Sequence, residues 1–461
     1  MVVWPSVHTS SMPVPGGSSR RGHGVRFVPV LTGVLVLVGA AAAPGASAAP
    51  PAAEIDGFVA RLDREHQGWL SAGRVPGAAV AAVRDGRVAW AGGYGQADPA
   101  RLAPVKPDTV FQVGSISKPV TAWGVLRLVD KGQLDLDVPV ASYLTRWQLP
   151  ASPYDADGVT IRRLLTHSAG LSAHAYPGTL PTDRLPSLEE SLNGNNGGAG
   201  ALEITMRPGS RYQYSGGGYT LLQLVIEEVT GEPFASYMRR EVLDPLGMTS
   251  SSFGMRADLR PATAVGHNAD GQPYPPYVFT ELAAAGLNST AADLARFAAA
   301  AMTGPQGQPP GRGVLSAATT AQALTPVSLP DESVAADVTR ALHQVTVGLG
   351  YAIDNDAFAT PMVWHNGVNR GWGAVFVTLP ERREGIVILA NATSASTLHD
   401  LILDVWSSWL GLGPAATPAT PQTNQSTTGR TVLAVAGLLV AGMIVWIGYR
   451  LYTRRSKRFI S

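Results

Sequence analysis

The sequence predicts a mixed fold of the α+β type, an α/β chain with an antiparallel sheet flanked by helices plus a mainly helical subdomain. Three observations carry that expectation. Gly77–Val83 and Val88–Gly93 are apolar runs separated by the tight-turn dipeptide Asp85-Gly86, the pattern of a β-hairpin. Far along the chain, Val375–Leu379 and Gly385–Ala390 are strand-like and joined by the charged turn Pro380–Glu384. Between these pairs, apolar residues fall on helical spacing, as at Val120, Trp123, Leu126 and Leu128.

The ends of the chain read differently from its middle. Residues 1–48 carry three arginines and no acid, and 411–461 carry six basic residues and no acid, which leaves the body acidic. An acidic body argues against nucleic-acid binding. At the N-terminus, Arg20, Arg21 and Arg26 precede an apolar run from Phe27 to Ala43. Ala46 and Ala48 then form a small-x-small site, so 1–48 is expected to be an export signal, with an uncleaved anchor as the alternative. Residues 412–430 form a Pro/Thr-rich linker. Thr431–Tyr449 is uncharged over 19 residues and spans roughly 28 Å as a helix, enough for a single membrane crossing. The basic tail 450–461 is expected to stay cytoplasmic, which places the 49–411 body outside the cell membrane and tethers it by its C-terminal end. With no cysteine, disulfides, a cysteine nucleophile and cysteine zinc sites are excluded.

Within the body, Ala53–Ala72 is expected to be a helix ahead of the hairpin. The run F-Q-V-G-S-I-S-K-P-V-T-A-W-G-V-L follows from Phe111. Ser115 and Lys118 stand one helical turn apart at the start of the periodic run, which closes at Asp130-Lys131-Gly132. A helix N-terminus favours a developing alkoxide on Ser115. Burial and a neighbouring cation depress a lysine pKa from about 10.4, so Lys118 can act as base. Lysine occurs at only four positions in this arginine-biased chain, and arginine cannot serve as that base. Together the three features describe an acyl-transfer nucleophile, with a helix cap beside a solvated lysine as the alternative reading.

Asp135–Leu144 and Thr160–Leu165 read as short helices. His167 and Ser168, in L-L-T-H-S-A-G-L, read as a structural turn, because a hydrolase elbow requires Gly-x-Ser-x-Gly. Residues 172–200 read as a long surface loop able to cover a cleft. Tyr214 precedes an amphipathic helix, Tyr219–Val229, which is stopped by Gly231; it reads as a half-buried tyrosine at a turn, with a proton carrier to or from Ser115 as the alternative. Pro233–Val242 is a further helix. Ser289 or Thr290 caps another, with Asp293 as the reciprocal acid of a capping box. Thr346–Ile353 reads as one strand. In W-H-N-G-V-N-R-G-W-G, residues 364–373, the glycines suit close approach of backbone to a ligand. Leu398–Leu410 closes the body as a helix.

Taken together, these segments resemble the serine β-lactamase and penicillin-binding protein family, in its class C β-lactamase-related branch, over roughly residues 54–410. S-I-S-K at 115–118 is similar to the family's S-x-x-K. Y-S-G at 214–216 stands in the place of Y-x-N, and H-N-G at 365–367 in the place of K-T-G. The resemblance implies a β-lactamase/transpeptidase-like fold in which the hairpin at 77–93 and the strands at 346–390 share one sheet. It implies catalysis by Ser115, Lys118 and Tyr214, with an oxyanion held by the backbone amides of Ser115 and Val368. His365, Asn366, Gly367 and Gly216 would contact a small peptide, ester or β-lactam substrate. Neither metal nor cofactor is needed. Gly216 stands where the family has an asparagine amide, and His365 offers less fixed positive charge than lysine. Two readings follow: an exported serine hydrolase working through an acyl-enzyme, with D-Ala-D-Ala carboxypeptidase action among its options, or a catalytically weak module that binds cell-wall fragments or β-lactams in the same cleft.

Overall fold

The structure is a computed structural model that describes residues 55–172, 175–328, 345–355, 358 and 360–412. The expected export signal, linker, membrane-spanning helix and basic tail lie outside the described residues. Among those described, no helix is long and apolar enough to cross a membrane.

The helix Ile55–Gly73 leads into the hairpin of β1 (Gly77–Arg84) and β2 (Arg87–Asp98). Asp85 and Gly86 both take positive φ, 52° and 67°, the backbone a two-residue turn between right-twisted strands requires. The short strands β3 (Ala103–Pro104), β4 (Phe111–Gln112), β5 (Ser252–Phe253) and β6 (Leu287–Ser289) follow. The last five strands are β7 (Val345–Val347), β8 (Ala352–Asp354), β9 (Met362–Asn369), β10 (Trp372–Leu379) and β11 (Glu384–Ala390).

Among the described residues, eight strands form one antiparallel sheet in the order β3-β2-β1-β11-β10-β9-β8-β7, so the early hairpin and the late strands share it, as expected. β1 pairs with β11 from Ala78 opposite Ala390 to Val83 opposite Gly385. Asn391 secures this junction, accepting from Gly77 N at 2.8 Å and donating to Gln96 O and Val265 O. β4, β6 and β5 make a small second sheet.

Alternation along the strands gives the large sheet two apolar faces. Val80, Val375, Val377 and Ile388 pack beneath Phe58, Leu62, Leu398 and Trp406 of the first and last helices. Ala79, Ala81, Phe376, Val387 and Leu389 face the opposite core, built from the helical region. There the helix Ser117–Asp130 is buried on nearly every side, with Val120, Trp123, Val125 and Leu126 at 0–1% exposure. A helix apolar all round belongs in the centre of a domain.

Several expected elements differ in detail. Asp135–Leu144 is helical only as a 3₁₀ turn at Val140–Tyr143, because Pro139 interrupts the run. The 172–200 segment contains a helix, Leu188–Leu192, closed by a capping box between Ser187 and Glu190. Thr346–Ile353 is two strands, since Gly348 and Gly350 (φ +93°) turn the chain back on itself. Thr290 caps the helix Ala291–Ala300, but Asp293 is not its reciprocal acid. The Asp293 carboxylate accepts instead from Ser250 N and Ser251 Oγ.

Candidate active site

Ser115 sits on a 3₁₀ turn, Gly114–Ile116, immediately before the 117–130 helix, rather than inside that helix. Gly114 takes φ +51°. Ser117 holds the turn in shape: its Oγ donates to Gly114 O at 2.6 Å and accepts from Leu287 N at 2.9 Å. Ser115 is left half-buried with its Oγ turned toward two polar groups.

The first is Lys118. Its Nζ lies 3.1 Å from Ser115 Oγ and 2.8 Å from the carbonyl of Ala284, and the residue is 2% exposed. Among the described residues no carboxylate contacts the ammonium, and burial pushes its pKa down from 10.5 to about 7. The acceptor at Ala284 is positioned from two sides: Thr121 Oγ1 donates to Ala283 O, and Gln223 takes Ala283 N and donates to Thr280 O.

The second is Tyr214, whose hydroxyl donates to Ser115 Oγ at 2.8 Å. Burial raises the phenol well above its usual range, so it stays protonated. Lys118 Nζ also lies 4.9 Å from the Tyr214 ring centroid, a cation–π contact whenever the amine is charged.

Sequence reasoning missed His167 as part of this arrangement. It occupies a left-handed backbone conformation (φ 55°), which suits the expected turn. Its side chain, however, is buried under Tyr214, with ring centroids 4.4 Å apart. Both residues flanking Tyr214 donate to it: Gln213 N to His167 O at 2.7 Å, and Ser215 N to Nδ1 at 3.1 Å. Histidine is among the few side chains enriched at positive φ, and that is the one local signal available. Ser168 bonds to Thr166 rather than to Ser115.

β9 supplies the other wall. Gly367 lies against the Ser115 turn so closely that a Cβ there would stand 1.9 Å from Val113 O and 2.9 Å from Ser115 N. A Cβ on Gly114 would come within 2.7 Å of the Val368 amide nitrogen. The backbones carrying the Ser115 and Val368 amides are therefore in contact. His365 is half-buried, and its Nδ1 lies 2.5 Å from Asn366 O. Burial, and then the charge of Lys118, push its pKa down to about 4, so it is neutral at pH 7. Asn366 is exposed and opposite Val375, which faces the first and last helices. Directly paired residues share a face, so the Asn366 side chain leaves the strand away from His365 and Gly367.

Gly216 is buried as the first residue of the helix Gly216–Thr230. Ser215 caps that helix, accepting from Gly218 N and donating to Ser172 O. The helix therefore begins three residues before the periodic run at Tyr219.

Comparison with known proteins identifies the family of this chain. The family model described as Beta-lactamase matches residues 54–404. The chain belongs to the beta-lactamase family. This beta-lactamase-family chain is 34% identical to esterase EstB of Burkholderia gladioli over 227 residues, 47% of this chain and 56% of that one. It thus spans about half the length of the curated relatives it matches. Its structure is similar to the octameric penicillin-binding protein homologue from Pyrococcus abyssi, with TM-score 0.64 and 25% identity over 77% of this chain and 78% of that one. It shares the fold of a beta-lactamase/D-alanine carboxypeptidase from Pseudomonas syringae, with TM-score 0.60 and 21% identity over 79% of this chain and all of the other.

Proposed function

We propose that the body is a serine hydrolase that cleaves an amide, ester or β-lactam carbonyl through an acyl-enzyme on Ser115. The observation that carries this reading is the convergence of Lys118 Nζ and the Tyr214 hydroxyl on Ser115 Oγ, at 3.1 and 2.8 Å. With its pKa near 7, Lys118 is about half neutral at neutral pH and can take the Ser115 proton as Oγ attacks. Tyr214 remains a protonated phenol, suited to pass a proton on to the leaving group. The amides of Ser115 and Val368 are the donors for the oxyanion, and losing one such donor typically costs ~10²–10³ in rate. Deacylation by water reverses the same proton transfers.

The names of the relatives favour an ester, a D-alanyl peptide or a β-lactam as substrate. The uncharged 431–449 segment and the basic tail support a single-pass tether, with the body outside the cell membrane and cell-wall peptides within reach. A second reading, a binding module with little turnover, draws support from Gly216, which brings no side chain to the site.

The experiment is fluorophosphonate labelling of the full chain in wild-type and Ser115→Ala forms, followed by nitrocefin, a D-Ala-D-Ala peptide and a 4-nitrophenyl ester offered to one preparation. Labelling and turnover that vanish in Ser115→Ala are expected. Equal labelling of the two forms removes Ser115 as nucleophile, and saturable binding without turnover on all three substrates selects the second reading.

A further inference from the structure

Asn369 pairs with Trp372, so Arg370 and Gly371 (φ +87°) form the tip of the β9–β10 hairpin. Arg370 is exposed, and its guanidinium carbon lies 4.8 Å from the Tyr277 ring centroid. Among the described residues no carboxylate pairs with it. An arginine stacked on an aromatic face keeps its charge and has its fork of donors pre-oriented.

The platform beneath it is tied to the nucleophile segment. Gln112, three residues before Ser115, donates to Tyr277 O at 2.8 Å and accepts from Asn369 Nδ2 at 3.0 Å. Asn369 also donates to Ala285 O, one residue beyond the carbonyl that holds Lys118. Arg370 is therefore attached through buried hydrogen bonds to both sides of the Ser115–Lys118 pair.

The direction of a bound substrate follows from the proposed proton path. The leaving group must lie toward Tyr214 and Lys118, which protonate it. Gly114 lies against the Val368 amide and Ser115 against Gly367, so the turn runs toward the 365 end of β9 as it enters the helix that carries Lys118. The acyl portion then runs the other way along β9, past Val368 toward Arg370. Two residues of strand separate Val368 from Arg370, roughly 7 Å at ~3.3 Å per residue. An extended acyl chain of four methylenes covers a similar length.

We propose that Arg370 is a specificity residue that binds a carboxylate on the acyl portion of the substrate, so that the preferred substrates carry an acidic acyl chain. The inference rests on the hydrolase reading for its direction, but its test does not depend on turnover alone. Lys118 is engaged with Ser115 and Ala284, which leaves Arg370 to meet such a group.

The test compares 4-nitrophenyl hydrogen adipate with 4-nitrophenyl hexanoate, esters of equal acyl length that differ in one terminal carboxylate. Full-length wild type is expected to prefer the adipate in kcat/KM. Arg370→Gln should lower that preference about tenfold, the scale of one charge-assisted contact, through the adipate KM. The hexanoate rate should stay where it was, and Arg370→Lys should retain most of the preference. An unchanged ratio in Arg370→Gln, or a parallel fall for both esters, overturns the proposal. Independently, calorimetric binding of monomethyl adipate to the Ser115→Ala chain should weaken about tenfold when Arg370→Gln is added, and equal affinities also overturn it. If wild type hydrolyses neither ester while this binding still depends on Arg370, the hydrolase reading fails and the carboxylate subsite stands.

Discussion

Replacing Lys118 by arginine tests the proposed chemistry most directly. Arginine keeps a cation and its hydrogen-bond donors at the site, but it cannot lose a proton. In the native chain, burial moves the amine from 10.5 to about 7. At 1.36 kcal/mol per unit, that shift corresponds to roughly 5 kcal/mol of bias against the charged form. An ordinary lysine is neutral in only about one molecule in 2,500 at pH 7, whereas Lys118 is neutral in about half, so burial raises the population of competent base by ~10³. The sign is fixed by the direction of the shift. The neutral form dominates above pH 7, so kcat/KM for a 4-nitrophenyl ester should climb about tenfold per unit below pH 7 and level off above it. His365 has been pushed to about 4, so the limb near 7 should survive in His365→Asn. Lys118→Arg should lose ~10³ or more in kcat/KM and in the rate of phosphonate labelling. The assay is a pH series from 5 to 9 with both readouts. A flat profile, or a Lys118→Arg enzyme within tenfold of wild type, would refute the role given to this amine.

Two further outcomes follow from the geometry. His167→Ala should lower kcat about 10–100-fold by freeing Tyr214 while leaving the circular dichroism spectrum native. His167→Asn should recover much of the loss, because asparagine offers an oxygen near the position of Nδ1 and tolerates the positive φ. Equal losses in the two variants would argue against the clamp. Gly367→Ala forces a methyl to within 1.9 Å of the Val113 carbonyl. It should lower the melting temperature by several degrees, in line with the ~1–3 kcal/mol cost of overpacking, and abolish phosphonate labelling; a native melting curve with full labelling would contradict the close contact.

The parts of this architecture written in short-range patterns were legible in the sequence. The Asp85-Gly86 hairpin, the helix stop at Gly231 and the Thr290 cap depend on neighbours within a few residues, and each stands where the pattern places it. Serine, lysine and tyrosine could be nominated one by one. What brings them together could not be read locally. The Lys118 ammonium owes its depressed pKa to burial in a core assembled from distant segments, and Ala284, whose carbonyl it reaches, is 166 residues away in sequence. Asp293 fits a capping box by spacing, yet Ser250 and Ser251 reach its carboxylate first. His167 passed for a turn residue because its ring contact with Tyr214 crosses more than forty positions. Glycines hid the break in 346–353, because a positive φ at Gly350 leaves no mark on an apolar pattern.

The pairing of β1 with β11 bears on how the protein is made. Gly77 and Asn391, which meet at 2.8 Å, are 314 residues apart in sequence. During synthesis the early hairpin emerges with one apolar edge open, and its partner strand is still to be translated. Contacts of such span are slow to form because loop closure must precede them. The central sheet, and with it the β9 wall beside Ser115, can therefore assemble only after nearly the whole body has been released. Until then the unpaired β1 edge is open to pairing with another chain.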